Sequence, residues 1–348
     1  MYLRVSIRVI LYMVNFWSNL PKPIIALAPM AGVCDSPFRQ ICRTHGADVI
    51  YTEFLSSNAL CFGNEKTMRM LKFNKSEHPI VCQLFGKDPA TIAHAAKIIE
   101  QAGYDGIDLN FGCPAYKVVK NGGGVSLMRN LDKLRAVIAA AIDAVAIPVS
   151  IKIRASVADS ARIRDMIEDE DDEDRKLMKR GAVTAVDLVK KIHDLDVSCI
   201  MIHARSYEQA FDGEPDLEIV KQVRSLFKGV LLTNGGIYTP EDAKKQLDET
   251  QADGVGLARG VRGNPWLFGQ IKDYLKTGSC SPVSWNDQKQ VILEHAKLML
   301  KTKGEKSIIE LRKHLAWYIR GLPGAKELRT KLVQIKSIEE LGSILDTV

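Results

Sequence analysis

Gly106-Ile-Asp-Leu-Asn-Phe111 is a short β-rich run that breaks at once into the turn residues Gly112-Cys-Pro114. The same cadence recurs on both sides of it. Upstream lie Ile24–Pro29, Val49–Phe54 and Ile80–Phe85; downstream lie Val149–Arg154, Cys199–Ala204, Val230–Gly235 and Gly254–Arg259. Helical patterns separate them, as at Pro89–Gln101, Leu131–Val145, Thr184–Asp194 and Pro240–Glu249. Two of these open with helix-start signals, Asp88-Pro89 and Thr239-Pro240-Glu241. Near-continuous apolar strands alternating with amphipathic helices imply a parallel sheet covered on its outer face. Eight such units in about 250 residues predict an α/β fold, a closed (β/α)8 TIM barrel. A Rossmann fold is the rival. Its one glycine-rich candidate, Gly254-Val-Gly-Leu-Ala-Arg-Gly260, has the wrong spacing and follows the last strand rather than the first.

Beyond roughly Gly278 strand signals vanish and helical periodicity takes over, in Gln288–Lys303 and Ile308–Ile319. The expected organisation is an N-terminal extension over residues 1–22, a barrel over 23–277 and a small all-α domain over 278–348. One irregular stretch, Ala155–Gly181, follows the fifth strand and holds seven consecutive acidic residues, Glu168 to Asp174. Such a run repels itself and is expected to form a solvated or mobile loop.

Apolar residues make up 46% and charged residues 26% of the chain, which excludes a fibrous, disordered or disulfide-stapled protein. The net charge of +6 is mild, but its distribution is uneven. From Glu305 to Lys336 eight basic residues face only Glu305, Glu310 and Glu327, a local excess of +5. That segment is a candidate polyanion surface, with a solvated helix face as the bland reading. The seven cysteines are odd in number and form no C-x-x-C pair, so neither a disulfide framework nor a zinc site is expected. Reduced thiols point to the cytoplasm. Met1 to Leu20 is apolar but too short in its uncharged run to span a bilayer, and reads as an over-extended start or a docking segment.

Barrel enzymes carry their chemistry at the C-terminal ends of the strands. Those ends here read Pro29-Met30-Ala31, Glu53, Gln83, Asn110 with Cys113, Lys152, His203, Asn234-Gly235-Gly236 and Ala258-Arg259-Gly260. Each could be structural alone; their coincidence at one end is the signal. A reduced flavin is anionic at one edge, which a strand-end lysine such as Lys152 can stabilise. The edge of a flavin ring needs an amide that both donates and accepts, which suits Gln83 as a cofactor-binding residue. Asn234-Gly235-Gly236 and Ala258-Arg259, after strands seven and eight, suit a phosphate. Cys113, framed by Gly112 and Pro114, is placed to present a thiol over the mouth, whereas Cys34, Cys42, Cys61, Cys82, Cys199 and Cys280 read as buried small hydrophobes.

Ala28-Pro-Met-Ala-Gly32 with Asp35-Ser-Pro-Phe-Arg39, Asp108-Leu-Asn-Phe-Gly-Cys-Pro114 with Lys117-Val118, Lys152-Ile-Arg154, Ile202-His203 and Asn234-Gly235 together resemble the tRNA-dihydrouridine synthases. Arg312-Lys-His-Leu-Ala-Trp-Tyr-Ile-Arg-Gly-Leu-Pro-Gly324 resembles their bacterial B-type members. The resemblance runs from about Pro23 to the end. It implies an FMN enzyme that takes electrons from NADPH and passes a hydride to C6 of a flipped-out tRNA uridine, with Cys113 protonating C5. Asn110 and Lys117 then lie on the substrate side, and Lys152 and His203 on the flavin. A monomer without metal or membrane span is implied as well. The chain departs from the family pattern at three places: Gly123-Gly-Val-Ser126 replaces Ala-Gly-Ser-Ala, which predicts a looser loop, and Gly236 and Ala258 replace Asp and Gly. Two other readings follow from the residues: an FMN barrel reducing a small molecule such as a free pyrimidine or an enone, and a non-catalytic tRNA-binding protein.

Overall fold

The computed structural model describes residues 15–158 and 182–348; the acidic run at 168–174 and most of the N-terminal extension lie outside them. Eight parallel strands close on themselves. They are β1 (Ile24–Leu27), β2 (Val49–Tyr51), β3 (Ile80–Phe85), β4 (Gly106–Asn110), β5 (Val149–Arg154), β6 (Cys199–His203), β7 (Val230–Asn234) and β8 (Gly254–Leu257). Each pairs with its neighbours in sequence, and β1 pairs with β8, so the sheet has no edge. The TIM barrel expected from the strand cadence is the fold observed. β3 and β5 match their apolar runs end to end; the other strands stop one to three residues short, where the backbone leaves the sheet for the mouth loops.

Ten helices clad the barrel among the described residues: α1 (Ser36–Thr44), α2 (Ser57–Cys61), α3 (Glu65–Met70), α4 (Pro89–Gln101), α5 (Tyr116–Lys120), α6 (Leu131–Ala144), α7 (Ala185–Lys191), α8 (Leu217–Leu226), α9 (Pro240–Thr250) and α10 (Leu267–Thr277). The start signals act as caps. Asp88 accepts from the Thr91 N–H at 2.8 Å ahead of α4, and Thr239 and Asp242 form a reciprocal capping box at α9. The ends of the irregular stretch after β5 form a two-residue antiparallel ladder, Ser156–Val157 against Val183–Thr184.

A strand's period of two sends alternate side chains to opposite faces of the closed sheet. Ile25, Leu27, Ile50, Leu109, Ile151 and Ile202 pack against the helices in the main core. Their neighbours Ile24, Ala26, Val49, Tyr51, Met201 and Leu232 form a separate cluster inside the barrel. Trp17 joins that inner cluster. It sits in a short 3-10 turn, Phe16–Asn19, is 1% exposed, and has its ring 4.7 Å from that of Phe16 and 6.3 Å from that of Tyr51. Phe16 lies against Gly106, the first residue of β4, so this turn stoppers the N-terminal end of the barrel.

Four more helices follow: α11 (Trp285–Lys303), α12 (Ser307–Tyr318), α13 (Ala325–Leu332) and α14 (Ile338–Leu345). Their apolar faces share a core that takes in Ile41 of α1, and Lys303 pairs with Asp35 at 2.7 Å. Of the eight basic residues between Glu305 and Lys336, only Arg312 is half-buried, donating to the Ile335 carbonyl at 2.9 Å; the others are exposed. No helix among the described residues is long and apolar enough to cross a membrane.

Trp17→Ala should empty the barrel's stopper and lower unfolding free energy by about 3–5 kcal/mol. Chemical denaturation read by circular dichroism checks it; an unchanged midpoint would mean that the stopper contributes nothing to stability.

Candidate active site at the barrel mouth

Inward-pointing positions at the C-terminal ends of β3 to β7 carry polar side chains in register. Asn110 lies opposite Lys152, Arg154 opposite His203, and His203 opposite Asn234. One level deeper, Gln83 lies opposite Asp108 and Asp108 opposite Ser150. Gln83 and Asp108 are fully buried. Burial pushes the Asp108 carboxyl up to about 6 against the pull of hydrogen bonds from Gln83 and Ser150, so it is still mostly ionised at neutral pH.

Positive charge is concentrated above this layer. Lys152 is half-buried and has no ion pair or hydrogen bond among the described residues; burial, then Arg154, push its ammonium down to about 8. A structural salt bridge is therefore not what holds it there. His203 is 8% exposed, and burial together with Lys152, Arg154, Arg205 and Arg259 drives its pKa down to about 2, so the imidazole is neutral. Arg154, 1% exposed, donates to the carbonyls of Gly112, Ser206 and Ala210 at 2.9, 2.7 and 2.8 Å, tying the loop after β4 to the loop after β6. Arg259 donates to the Phe211 carbonyl at 2.9 Å and lies 5.1 Å from that ring.

Arg205, two residues beyond His203, was not singled out by strand-end reasoning. Its Nε donates to the Gly213 carbonyl at 2.8 Å, while its Nη1 is buried with no hydrogen-bond partner among the described residues. It stands beside Gly235, whose φ of +103° and whose missing Cβ, which would fall 2.5 Å from His203 Cδ2, leave room that no other residue could. Gly236 follows at φ +76°. Asn234 commits one of its two amide hydrogens to the Gly256 carbonyl at 2.6 Å, which links β7 to β8. The signal for Arg205 was its parity with His203 on the continuation of β6.

Cys113 is half-buried, with its N–H donated to Asn110 Oδ1 at 2.9 Å. Burial pushes its thiol up, opposed by a backbone N–H at Ala115 and by Arg154 and Lys152. The looser loop expected beyond the cysteine is not what forms. Gly124 to Arg129 make a buried 3-10 turn, and the Val125 N–H donates to the Cys113 carbonyl at 3.2 Å. Gly124 permits this: it sits at φ +61°, where a Cβ would be 2.7 Å from that carbonyl oxygen. Of the other cysteines, Cys34, Cys42, Cys82 and Cys199 are buried as expected, whereas Cys61 and Cys280 are half-buried.

The remaining strand-end residues border the same mouth. Pro29 and Met30 are half-buried and Ala31 exposed in the loop after β1, where the Gly32 N–H meets Glu53. Ala258 and Arg259 are half-buried after β8. Lys117 is exposed on α5, away from the buried layer. Among the described residues no cluster of His, Cys, Asp and Glu could hold a metal ion.

A family model described as "Dihydrouridine synthase (Dus)" matches residues 26–170 and 176–348. A probable tRNA-dihydrouridine synthase of Rickettsia bellii is 34% identical over 308 residues, covering 88% of each chain. The tRNA-dihydrouridine synthase B of Pseudomonas aeruginosa is 32% identical over 323 residues, covering 92% of this chain and 91% of its own. Among solved structures, histamine dehydrogenase from Rhizobium sp. 4-9 superposes with a TM-score of 0.51 at 12% identity, over 79% of this chain and 48% of that one, a likeness of fold alone. The family model and these relatives span nearly the whole chain, and the chain belongs to the dihydrouridine synthase family.

Proposed function

We propose that this chain binds FMN at the barrel mouth, takes reducing equivalents from NADPH and saturates the C5–C6 bond of a uridine in tRNA. The observation that carries the reading is the buried Nη1 of Arg205, which has no hydrogen-bond partner among the described residues, beside the open backbone of Gly235-Gly236. A phosphate would complete that donor and offset the unbalanced charge of Lys152, Arg154 and Arg259 around it. Arg205, Gly235, Gly236, Ala258 and Arg259 would hold the phosphate side, with Asn234 shaping its wall. Lys152, His203 and the Pro29-Met30-Ala31 loop would hold the ring side. Bound FMN supplies the hydride for C6.

The chain's own residues do the rest. Cys113 Sγ keeps its proton at neutral pH, because burial raises the thiol, and so can deliver it to C5. Asn110 offers its amide N–H to the uracil edge. Gln83, with one donor and one acceptor already committed to Asp108 and Asn110, acts on the ligand through Asn110. The exposed basic residues of α12 and α13, with Lys117 near the mouth, give the polyanion surface that a tRNA needs and a small-molecule reductase does not. The relatives from Rickettsia bellii and Pseudomonas aeruginosa, tRNA-dihydrouridine synthases by name, point to the same substrate.

Unmodified tRNA incubated with the flavin-loaded protein and NADPH should gain dihydrouridine, measured by mass spectrometry. Cys113→Ala should lower that rate by about 10²–10⁴-fold and leave flavin reduction by NADPH intact. A wild-type protein whose flavin is reduced but which makes no dihydrouridine would instead be a small-molecule reductase. Lys152 loses its proton as pH rises through about 8, so FMN affinity should fall several-fold from pH 7 to pH 9, as titrated by flavin fluorescence. Lys152→Met should flatten that profile; an unchanged slope in the mutant would assign it elsewhere. Replacing Arg329 and Lys331 by Ala should reduce the salt dependence of tRNA binding by about two counterions, with no change in flavin affinity.

A further inference from the structure

A head-to-tail chain of hydrogen bonds runs beneath the mouth. Ser150 Oγ donates to Asp108 Oδ1 at 2.7 Å, and Gln83 Nε2 donates to Asp108 Oδ2 at 2.7 Å. Gln83 Oε1 then accepts from Asn110 Nδ2 at 2.9 Å. Asn110 Oδ1 accepts from the Gly112 and Cys113 N–H groups, at 3.1 and 2.9 Å. The chain is dry: Asp108 and Gln83 are 0% exposed and Asn110 is 7% exposed.

Only one sense of this chain is possible. An ionised carboxylate accepts and cannot donate, and a backbone N–H donates and cannot accept. The amides of Gln83 and Asn110, held between those two ends, therefore cannot be turned over without setting donor against donor or acceptor against acceptor. The carbonyl of Asn110 has two lone pairs, and both are taken by the loop. What remains for a ligand is a single amide hydrogen.

We propose that Asp108 is a positioning and specificity residue: through Gln83 it holds Asn110 as a hydrogen-bond donor only. The site then takes a ring edge that carries a carbonyl oxygen and rejects one that carries an amino group. Applied to the pyrimidine reading above, on which this consequence rests, uracil is accepted and cytosine refused, since the amino group of cytosine would meet the N–H of Asn110 donor to donor. The same anchor fixes the loop of Cys113, so the proton donor and the edge reader are set by one buried carboxylate that touches neither substrate nor cofactor.

Asp108→Asn keeps the chain's sense, because an amide can accept from Gln83 and donate to Ser150. Asp108→Leu and, one link higher, Gln83→Met break it. Hydrogen–deuterium exchange of the flavin-loaded protein over residues 111–115 should show wild-type protection in Asp108→Asn and faster exchange in both breaking variants. Two RNA hairpins, with loop pyrimidines all uridine or all cytidine, should differ in affinity for wild type and Asp108→Asn by about tenfold in favour of uridine. That ratio should shrink toward one in Asp108→Leu and Gln83→Met. Wild-type exchange in the breaking variants, or an Asp108→Asn as impaired as Asp108→Leu, would overturn the proposal. If wild type shows no preference between the hairpins, the donor-only selection is wrong. If it makes no dihydrouridine in tRNA, the pyrimidine reading fails separately, and the exchange data still decide the role of Asp108.

Discussion

A closed parallel sheet has an inside, and whatever its period-two pattern sends inward has to be satisfied there without water. That constraint organises this molecule. At the N-terminal end the inward residues are apolar and Trp17 closes them off; toward the C-terminal end they become Gln83, Asp108, Ser150, Asn110 and Lys152. A buried polar layer of this kind is tolerable only when its members pair, and they do, from Ser150 through Asp108 and Gln83 to Asn110. The loop that carries Cys113 is thus an extension of the core's own hydrogen-bond network.

Above that layer the accounting is deliberately incomplete. Lys152, Arg154 and Arg205 all have pKa values below their ordinary ranges, chiefly from burial, and mutual repulsion adds to it. A protein optimised for stability alone would neutralise these groups or expose them. On the proposed reading an anion completes this site, where Arg205 stands beside Gly235 and Gly236, both at positive φ. Arg154 illustrates the division of labour. It contributes charge to the mouth, yet its three hydrogen bonds all go to backbone carbonyls, which makes it a fastener between two loops.

Much of this was legible in the sequence, for a physical reason. Strands buried on both faces are written as unbroken apolar runs, so β3 and β5 could be read to the residue, and the rule that barrel chemistry sits at strand C-termini brought Asn110, Lys152 and His203 to one surface. What could not be read depends on contacts between distant residues. Arg205 lies two residues past the end of β6, beyond the strand-end positions that the barrel rule singles out. Asp108 looked like one polar residue within an apolar run, because its partners come from β3 and β5. The turn behind Cys113 is tighter than the departure at Gly123-Gly-Val-Ser126 predicts, because Gly124 allows a closer approach than a side chain would. Trp17 lies in a segment whose composition predicts no more than an over-extended start or a docking segment, not a plug for the barrel.

The stopper has one more consequence. A barrel plugged below and open above has a single doorway. On the proposed reading, the molecule that brings electrons and the molecule that receives them cannot approach the same buried face from opposite sides. They have to queue. The order of events is then a matter of plumbing as much as of affinity: the first visitor leaves before the second, far larger one can enter, and whatever lingers at the threshold sets the pace.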